Sequence, residues 1–234
     1  MRSGEDEVPP EERAKSRERA RTAYRWALRY AVAGSRPLVV AVMGRVGTGK
    51  STQAEALADA LGWPAVSSDR VRKERAGVPL HERGDAAARQ QLYAQDMTET
   101  TYEALLDTAV ERAREGQGTV LDATFSRRCH RDALRERLAS TGVPYVFVEL
   151  VADDATLKRR LAARENADAV ISDARLEDFA MLVRRYEAPD ALEDARHIQV
   201  RSDEDPAVTT REALQHLVRL KPEPTAALPT LDGD

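Results

Sequence analysis

The stretch VVAVMGRVGTGKSTQAEALADALG, Val39 to Gly62, opens with an apolar run, passes through Gly44, Gly47 and Gly49, and enters an alanine- and leucine-rich segment at Lys50, Ser51 and Thr52. A tight turn between a strand and a helix accounts for the glycines, because glycine accepts positive φ without steric cost. It does not account for a lysine and a hydroxyl residue placed directly after the last glycine, on the first turn of a helix whose unpaired amides attract anions. A phosphate chain satisfies the whole arrangement. The glycines let the backbone approach the phosphates, Lys50 reaches the β and γ oxygens, and the Ser51 hydroxyl ligates Mg²⁺, in the spacing G-x-x-x-x-G-K-[ST] that also includes Thr48 and is followed by Thr52. The flanks supply the context: PLVVAVM reads as a buried parallel strand, and STQAEALADAL as a helix. A nucleoside triphosphate site is expected here.

A chain of 234 residues suits one α/β domain with additions, and 42 % hydrophobic with 32 % charged residues is a globular profile with a heavily charged surface. No apolar run approaches the roughly 18 residues of a membrane span. The acidic start MRSGEDEVPPEER is unlike a signal peptide, so a cytoplasmic protein with no membrane partner is expected. The lone Cys129 excludes an internal disulfide, and His81, His130, His197 and His216 are too scattered for a zinc site. A buried thiol and surface imidazoles are the default expectations. A net charge of −4 gives no overall attraction to nucleic acid, although a local basic channel is compatible with it.

Residues 1–10 read as a disordered leader, because Pro9-Pro10 and the acidic run discourage packing. Residues 11–34 read as a helix whose stripe of Tyr24, Leu28 and Val32, beside Ala20 and Ala31, should pack on something. Residues 35–220 form the expected α/β domain, and 221–234 a disordered tail. Within the domain WPAVSSD reads as a second strand ending at Asp69, followed by a short helix that Gly77-Val78-Pro79 breaks. Asp85 is a plausible cap for a long helix to about Arg114, with Tyr93, Met97, Thr101, Leu105 and Ala109 as its inner stripe. GTVLDAT, YVFVELV and HIQVR are further strands. Helices are expected over 127–139, 153–165, 173–186 and 206–220. This alternation predicts a parallel sheet of about five strands with helices on both faces, and ligands gathering at the carboxyl ends of its strands.

A phosphate site does not by itself say what becomes of the nucleotide; a kinase further needs an acceptor hydroxyl, a carboxylate beside it and cations for the moving phosphoryl group. Asp69 faces the expected cleft and can accept the proton of an incoming hydroxyl, or else simply cap a helix after Ser67-Ser68. Arg72, one helical turn on, can bind an anionic or polar acceptor, or else is a solvated surface arginine. Asp122 either joins the Mg²⁺ shell, contacts the acceptor together with Thr124, or is a buried turn aspartate. Arg160 and Arg164 share a helix face while Leu157 and Leu161 anchor another, so both arginines can serve a phosphate tail or form a solvated basic face.

Together these residues resemble the P-loop kinase family, whose P-loop NTPase three-layer fold carries an arginine-bearing lid. Its members combine the Gly44 to Thr52 pattern with D-x-x-R (Asp69, Arg72) after the second strand, D-A-T (Asp122, Ala123, Thr124) after the third, and lid arginines (Arg160, Arg164). The chain is similar to small kinases labelled AAA-type ATPases, which also occur fused behind an aminoglycoside-phosphotransferase-like domain. Polynucleotide 5′-hydroxyl kinases share the layout, and that resemblance implies Asp69 as general base, Arg72 on an acceptor phosphate and Asp122 orienting the hydroxyl. Shikimate- and gluconate-type kinases are similar too, and LGWPAV followed by AGVPL resembles the gluconate group. Polynucleotide kinases usually continue D-x-T with asparagine, where Phe125 stands here, and basic residues are not interleaved with aromatics for base stacking. The resemblance therefore implies a Mg²⁺-dependent kinase that uses ATP or GTP and a small-molecule hydroxyl acceptor. A nucleic-acid acceptor is the first alternative, and a regulatory ATPase module acting on a partner through the 11–33 helix is the second.

Overall fold

The computed structural model describes residues 9–82, 86–165, 176–189 and 196–220, without the side chains of 86, 87, 89, 164 and 165. The elements in chain order are α1 (Pro10–Ala33), β1 (Val39–Gly44), α2 (Lys50–Leu61), β2 (Ala65–Ser67), α3 (Ser68–Ala76), α4 (Ala86–Leu92) and α5 (Gln95–Arg114). There follow β3 (Thr119–Asp122), α6 (Arg128–Thr141), β4 (Tyr145–Val151), α7 (Asp154–Glu165), α8 (Phe179–Arg184), β5 (His197–Arg201) and α9 (Pro206–Leu220).

The five strands form one parallel sheet in the order β2-β3-β1-β4-β5. β1 lies in the middle and is buried along its whole length, which is why it reads as an unbroken run of valine, alanine and methionine. Period-two alternation divides its side chains between two cores. Val39, Ala41 and Met43 meet Tyr102, Leu105 and Ala109 of α5 and Leu134 and Leu138 of α6. Leu38, Val40 and Val42 meet Leu57 and Leu61 of α2, Ala213 and Leu217 of α9, and Val32 of α1. A third, smaller cluster joins Leu157 and Leu161 of α7 to Phe179. Helices therefore cover both faces, and the loops after β1, β2 and β3 open on one edge, where the order places a strand-end crevice.

Several expectations change. Of the stripe on α1 only Val32 is buried and Leu28 half-buried; Tyr24 is 66 % exposed, and Ala20 and Ala31 are exposed as well. Helical spacing puts residues on one face, but burial on α1, which touches α2 and α9, is confined to its later turns, and the earlier part of the stripe stays exposed. Pro10 opens the helix, as suits a first-turn proline, and so does not belong to a leader. The expected long helix from Asp85 is two helices, broken at Tyr93 and Ala94, where Ala94 adopts an extended backbone (ψ 157°). Tyr93 thus leaves the inner stripe, while Thr101, Leu105 and Ala109 are buried as expected and Met97 is half-buried. Cys129 is exposed rather than buried. His130 is half-buried, stacked on Tyr102 with ring centroids 3.9 Å apart, and His197 is half-buried against Glu149. The leader's residues 1–8, the cap Asp85, the start of the helix expected from 173 and the tail 221–234 lie outside the described residues.

Candidate active site

The phosphate loop grows out of β1 with all three glycines at positive φ: Gly44 at 138°, Gly47 at 84° and Gly49 at 86°. Gly44 is required for space as well, because a Cβ there would lie 2.5 Å from the Leu150 carbonyl oxygen of the adjoining strand. Gly44→Ala is expected to cost about 1–3 kcal/mol, the usual penalty of overpacking, read as a lower Tm together with weaker nucleotide binding. Inside the loop the Arg45 carbonyl accepts from Thr48 Oγ1 (2.9 Å) and Lys50 Nζ (3.1 Å), which curls the backbone around the lysine. Arg45 reaches outward to Asp154 (2.7 Å) and the Ala152 carbonyl (3.0 Å), tying the loop to the start of α7. Thr48 is buried, whereas Ser51 and Thr52 are exposed on the first turn of α2.

Asp122 ends β3 directly beside this turn. It is buried, and its carboxylate takes side-chain hydrogen bonds from Ser51 and Ser67 and faces the Lys50 ammonium. Burial, the largest influence, raises its pKa, helped by the Asp69 charge and opposed by Lys50, Ser51 and Ser67. A carboxyl raised in the folded state favours the proton there, so stability falls as pH climbs from the ordinary 3.8 through the folded value. Asp122→Asn is accordingly expected to melt higher than the wild type at neutral pH without nucleotide, and to turn over more slowly. The gain should shrink as pH is lowered toward 3.8.

A hydroxyl and a desolvated carboxylate, both oxygen donors, fit Mg²⁺. Among the described residues no three His, Cys, Asp or Glu side chains cluster as a metal site.

Asp69 sits in the first turn of α3 rather than at the end of β2, because the helix begins at Ser68. Helix geometry brings Arg72 back to it: Arg72 Nη1 donates to Asp69 Oδ1 at 2.8 Å. Arg72 is only 5 % exposed, so it is no solvated surface arginine, and its Nε is buried without a hydrogen-bond partner among the described residues. Tyr93, released by the break between α4 and α5, lays its ring 4.4 Å from the Arg72 guanidinium carbon and its hydroxyl 3.2 Å from Asp69 Oδ1. Asp69, Arg72, Asp122, Lys50 and Ser51 thus converge on one crevice.

Thr124 is half-buried, and its carbonyl accepts from the Gly44 amide (3.4 Å). Phe125 follows at φ 45°, a strained conformation for a residue with a side chain. It is held from both sides: its amide donates to Tyr102 Oη (3.0 Å), and its carbonyl accepts from Arg131 Nη1 (2.8 Å). Arg131, 1 % exposed, also donates to the Glu187 carbonyl (2.9 Å), and the Glu187 carboxylate accepts from the Arg128 amide at the start of α6 (2.6 Å). Burial pushes the Tyr102 phenol up to about 12, so it stays a hydrogen-bond donor or acceptor without charge near neutral pH. Arg160 lies against the loop, donating to the carbonyls of Thr48 (3.4 Å) and Ser202. It also borders Gly49. The Arg164 side chain lies outside the described residues.

Sequence reasoning missed Tyr93, Arg131 and Glu149. Glu149, buried on β4, accepts from Tyr186 (2.7 Å) and Gln199 (3.2 Å) and pairs with His197 (3.0 Å). Burial by itself raises its pKa, and these three partners more than offset that and hold it low. The one visible signal was a glutamate in the otherwise apolar strand YVFVELV.

A parallel sheet ordered 2-3-1-4-5, with the glycine-rich loop after its central strand and Asp122 at the end of the neighbouring one, defines a P-loop kinase. Residues 39–189 match the model of the AAA_33 family, described as an AAA domain, and the chain belongs to that family. It is 31 % identical over 139 residues to the gluconokinase of Gluconobacter oxydans (strain 621H), covering 56 % of this chain and 68 % of the relative. Among solved structures, a gluconokinase from Sinorhizobium meliloti 1021 is 26 % identical with a TM-score of 0.56, covering 79 % of this chain and 94 % of the other. Kti12 from Chaetomium thermophilum, solved with ADP-AlF3, shares the fold at 19 % identity with a TM-score of 0.58, covering 79 % and 98 %. The kind of protein these findings support is a nucleotide-binding kinase domain akin to small-molecule sugar kinases. Among the described residues no helix is long and apolar enough to cross a membrane.

Proposed function

We propose that this protein transfers the γ-phosphoryl group of ATP or GTP, with Mg²⁺, to a hydroxyl of a small anionic polyhydroxy compound, with gluconate as the first acceptor to try. The observation that carries the reading is the pairing of half-buried Asp69 with buried Arg72 beside Asp122, with an Arg72 Nε that has no hydrogen-bond partner among the described residues. A buried guanidinium edge without a partner suits a carboxylate or phosphate on the acceptor. In this reading Gly44, Gly47, Thr48, Gly49 and Thr52 shape the phosphate cradle, Lys50 holds the β and γ oxygens, and Ser51 and Asp122 face Mg²⁺. Mg²⁺ supplies neutralisation of charge on those oxygens. Asp69 takes the acceptor proton, Arg72, Asp122 and Thr124 position the acceptor, and Arg160 and Arg164 act on the phosphates from α7.

The relatives named gluconokinase support the choice of acceptor. The test is transfer of label from γ-labelled ATP and GTP, with Mg²⁺, to gluconate and to 5′-hydroxyl RNA and DNA oligonucleotides. Labelled gluconate, absent with Asp69→Asn, is the expected result. Label on the oligonucleotides instead would replace this reading with a polynucleotide kinase.

A further inference from the structure

We infer that Tyr93 guards the acceptor position, its phenol standing where the acceptor hydroxyl must come, so that Asp69 Oδ1 is occupied until a proper acceptor displaces it. This rests on the reading of Asp69 as base. Three observations support it. The Tyr93 hydroxyl lies 3.2 Å from Asp69 Oδ1, the same kind of hydroxyl-to-carboxylate hydrogen bond that a substrate makes when it is deprotonated. Arg72 Nη1 takes that same oxygen at 2.8 Å, so both of its lone pairs are engaged. Tyr93 is 41 % exposed and sits at the break between α4 and α5, so the ring lines the crevice and is not anchored in the core.

The consequence is selection. The phenol leaves Asp69 only for a ligand that makes better contacts, and the partnerless Arg72 Nε offers such contacts to an anionic acceptor but little to water. The ring, stacked on the guanidinium, holds Arg72 in plane for that acceptor. Without the phenol hydroxyl, water takes the place it held at Asp69 Oδ1. Its oxygen bonds to the γ-phosphorus as the bond to the β–γ bridging oxygen breaks, its proton passes to the Asp69 carboxylate, and ADP departs with the bond's electron pair.

The experiment measures Mg²⁺-ATP hydrolysis with no acceptor but water, in the wild type, Tyr93→Phe, Asp69→Asn and the double variant, with Lys50→Ala as blank. Phenylalanine keeps the ring and its stacking, so Tyr93→Phe should fold as the wild type does. Hydrolysis is expected to rise about tenfold in Tyr93→Phe, as befits loss of one hydrogen bond to a charged group, and to fall back to the Asp69→Asn level in the double variant. An unchanged or lower rate in Tyr93→Phe, a rise that persists in the double variant, or no hydrolysis above the blank in either protein would each overturn the inference. Failure of the wild type to phosphorylate gluconate would refute the acceptor reading and leave this comparison intact, since water is its only acceptor.

Discussion

Asp69→Asn is expected to lower turnover by about 10²–10⁴-fold, the range a positioned general base contributes, with little change in nucleotide affinity or Tm. The substitution leaves most of the site in place. The asparagine carbonyl oxygen can still accept the Arg72 bond, now 2.8 Å long, so the α3 turn and the buried guanidinium keep their geometry. The phosphate cradle lies on another element, α2 and the loop before it, and does not use Asp69. The capacity to take a proton is removed, together with the negative charge that faces Arg72. Steady-state rates with Mg²⁺-ATP and acceptor, calorimetric nucleotide binding and a thermal melt check the three parts separately. Near-normal turnover in the variant would remove Asp69 from the role of base and leave it as a helix-start residue paired to Arg72.

The largest effect on stability is expected from Arg131→Met. Arg131 is 1 % exposed, and it donates at 2.8 and 2.9 Å to the carbonyls of Phe125 and Glu187. Methionine fills much of the space but donates nothing, and each lost bond from a charged donor is worth roughly 1.5–3 kcal/mol, so about 3–6 kcal/mol in all. For a domain of this size that corresponds to a Tm lower by about 6–24 °C. Activity should suffer too, because the Arg131 bond is one of two that hold Phe125 at φ 45°, directly after the segment bearing Asp122 and Thr124. Arg131→Lys should fall between the two proteins, since it keeps a charged donor but not the fixed planar geometry by which Nη1 serves both carbonyls. Thermal melts of the three proteins test this. A methionine variant within about 1 kcal/mol of the wild type, the scale of an ordinary point substitution, would show that the two carbonyls find other partners.

Much of the nucleotide side of the site was legible in the sequence because it is local. Gly44, Gly47, Gly49, Lys50 and Ser51 are neighbours in the chain, and one strand-loop-helix unit determines how they face. The proposed acceptor side was legible only in part. Asp69 and Arg72 are three residues apart on one helix, so their pairing follows from helix geometry, yet nothing in the sequence distinguishes a buried arginine from a solvated one. Tyr93 was misplaced because helical spacing continues in register through Leu92, Tyr93 and Ala94, with neither glycine nor proline to mark the break.

The chain by itself determined the order of strands and helices, the parallel sheet and the phosphate loop, since periodicity and glycine placement act over a few residues and leave a direct imprint. Tertiary structure alone decided the contacts across long loops. Asp122 meets Ser51 and Ser67, Arg131 reaches Glu187, Glu149 collects Tyr186 and His197, and α1 finds cover only for its last turns. Each depends on how separate elements pack around β1. Which polar groups are desolvated, and which partners meet them, is a property of that packing and not of any one segment.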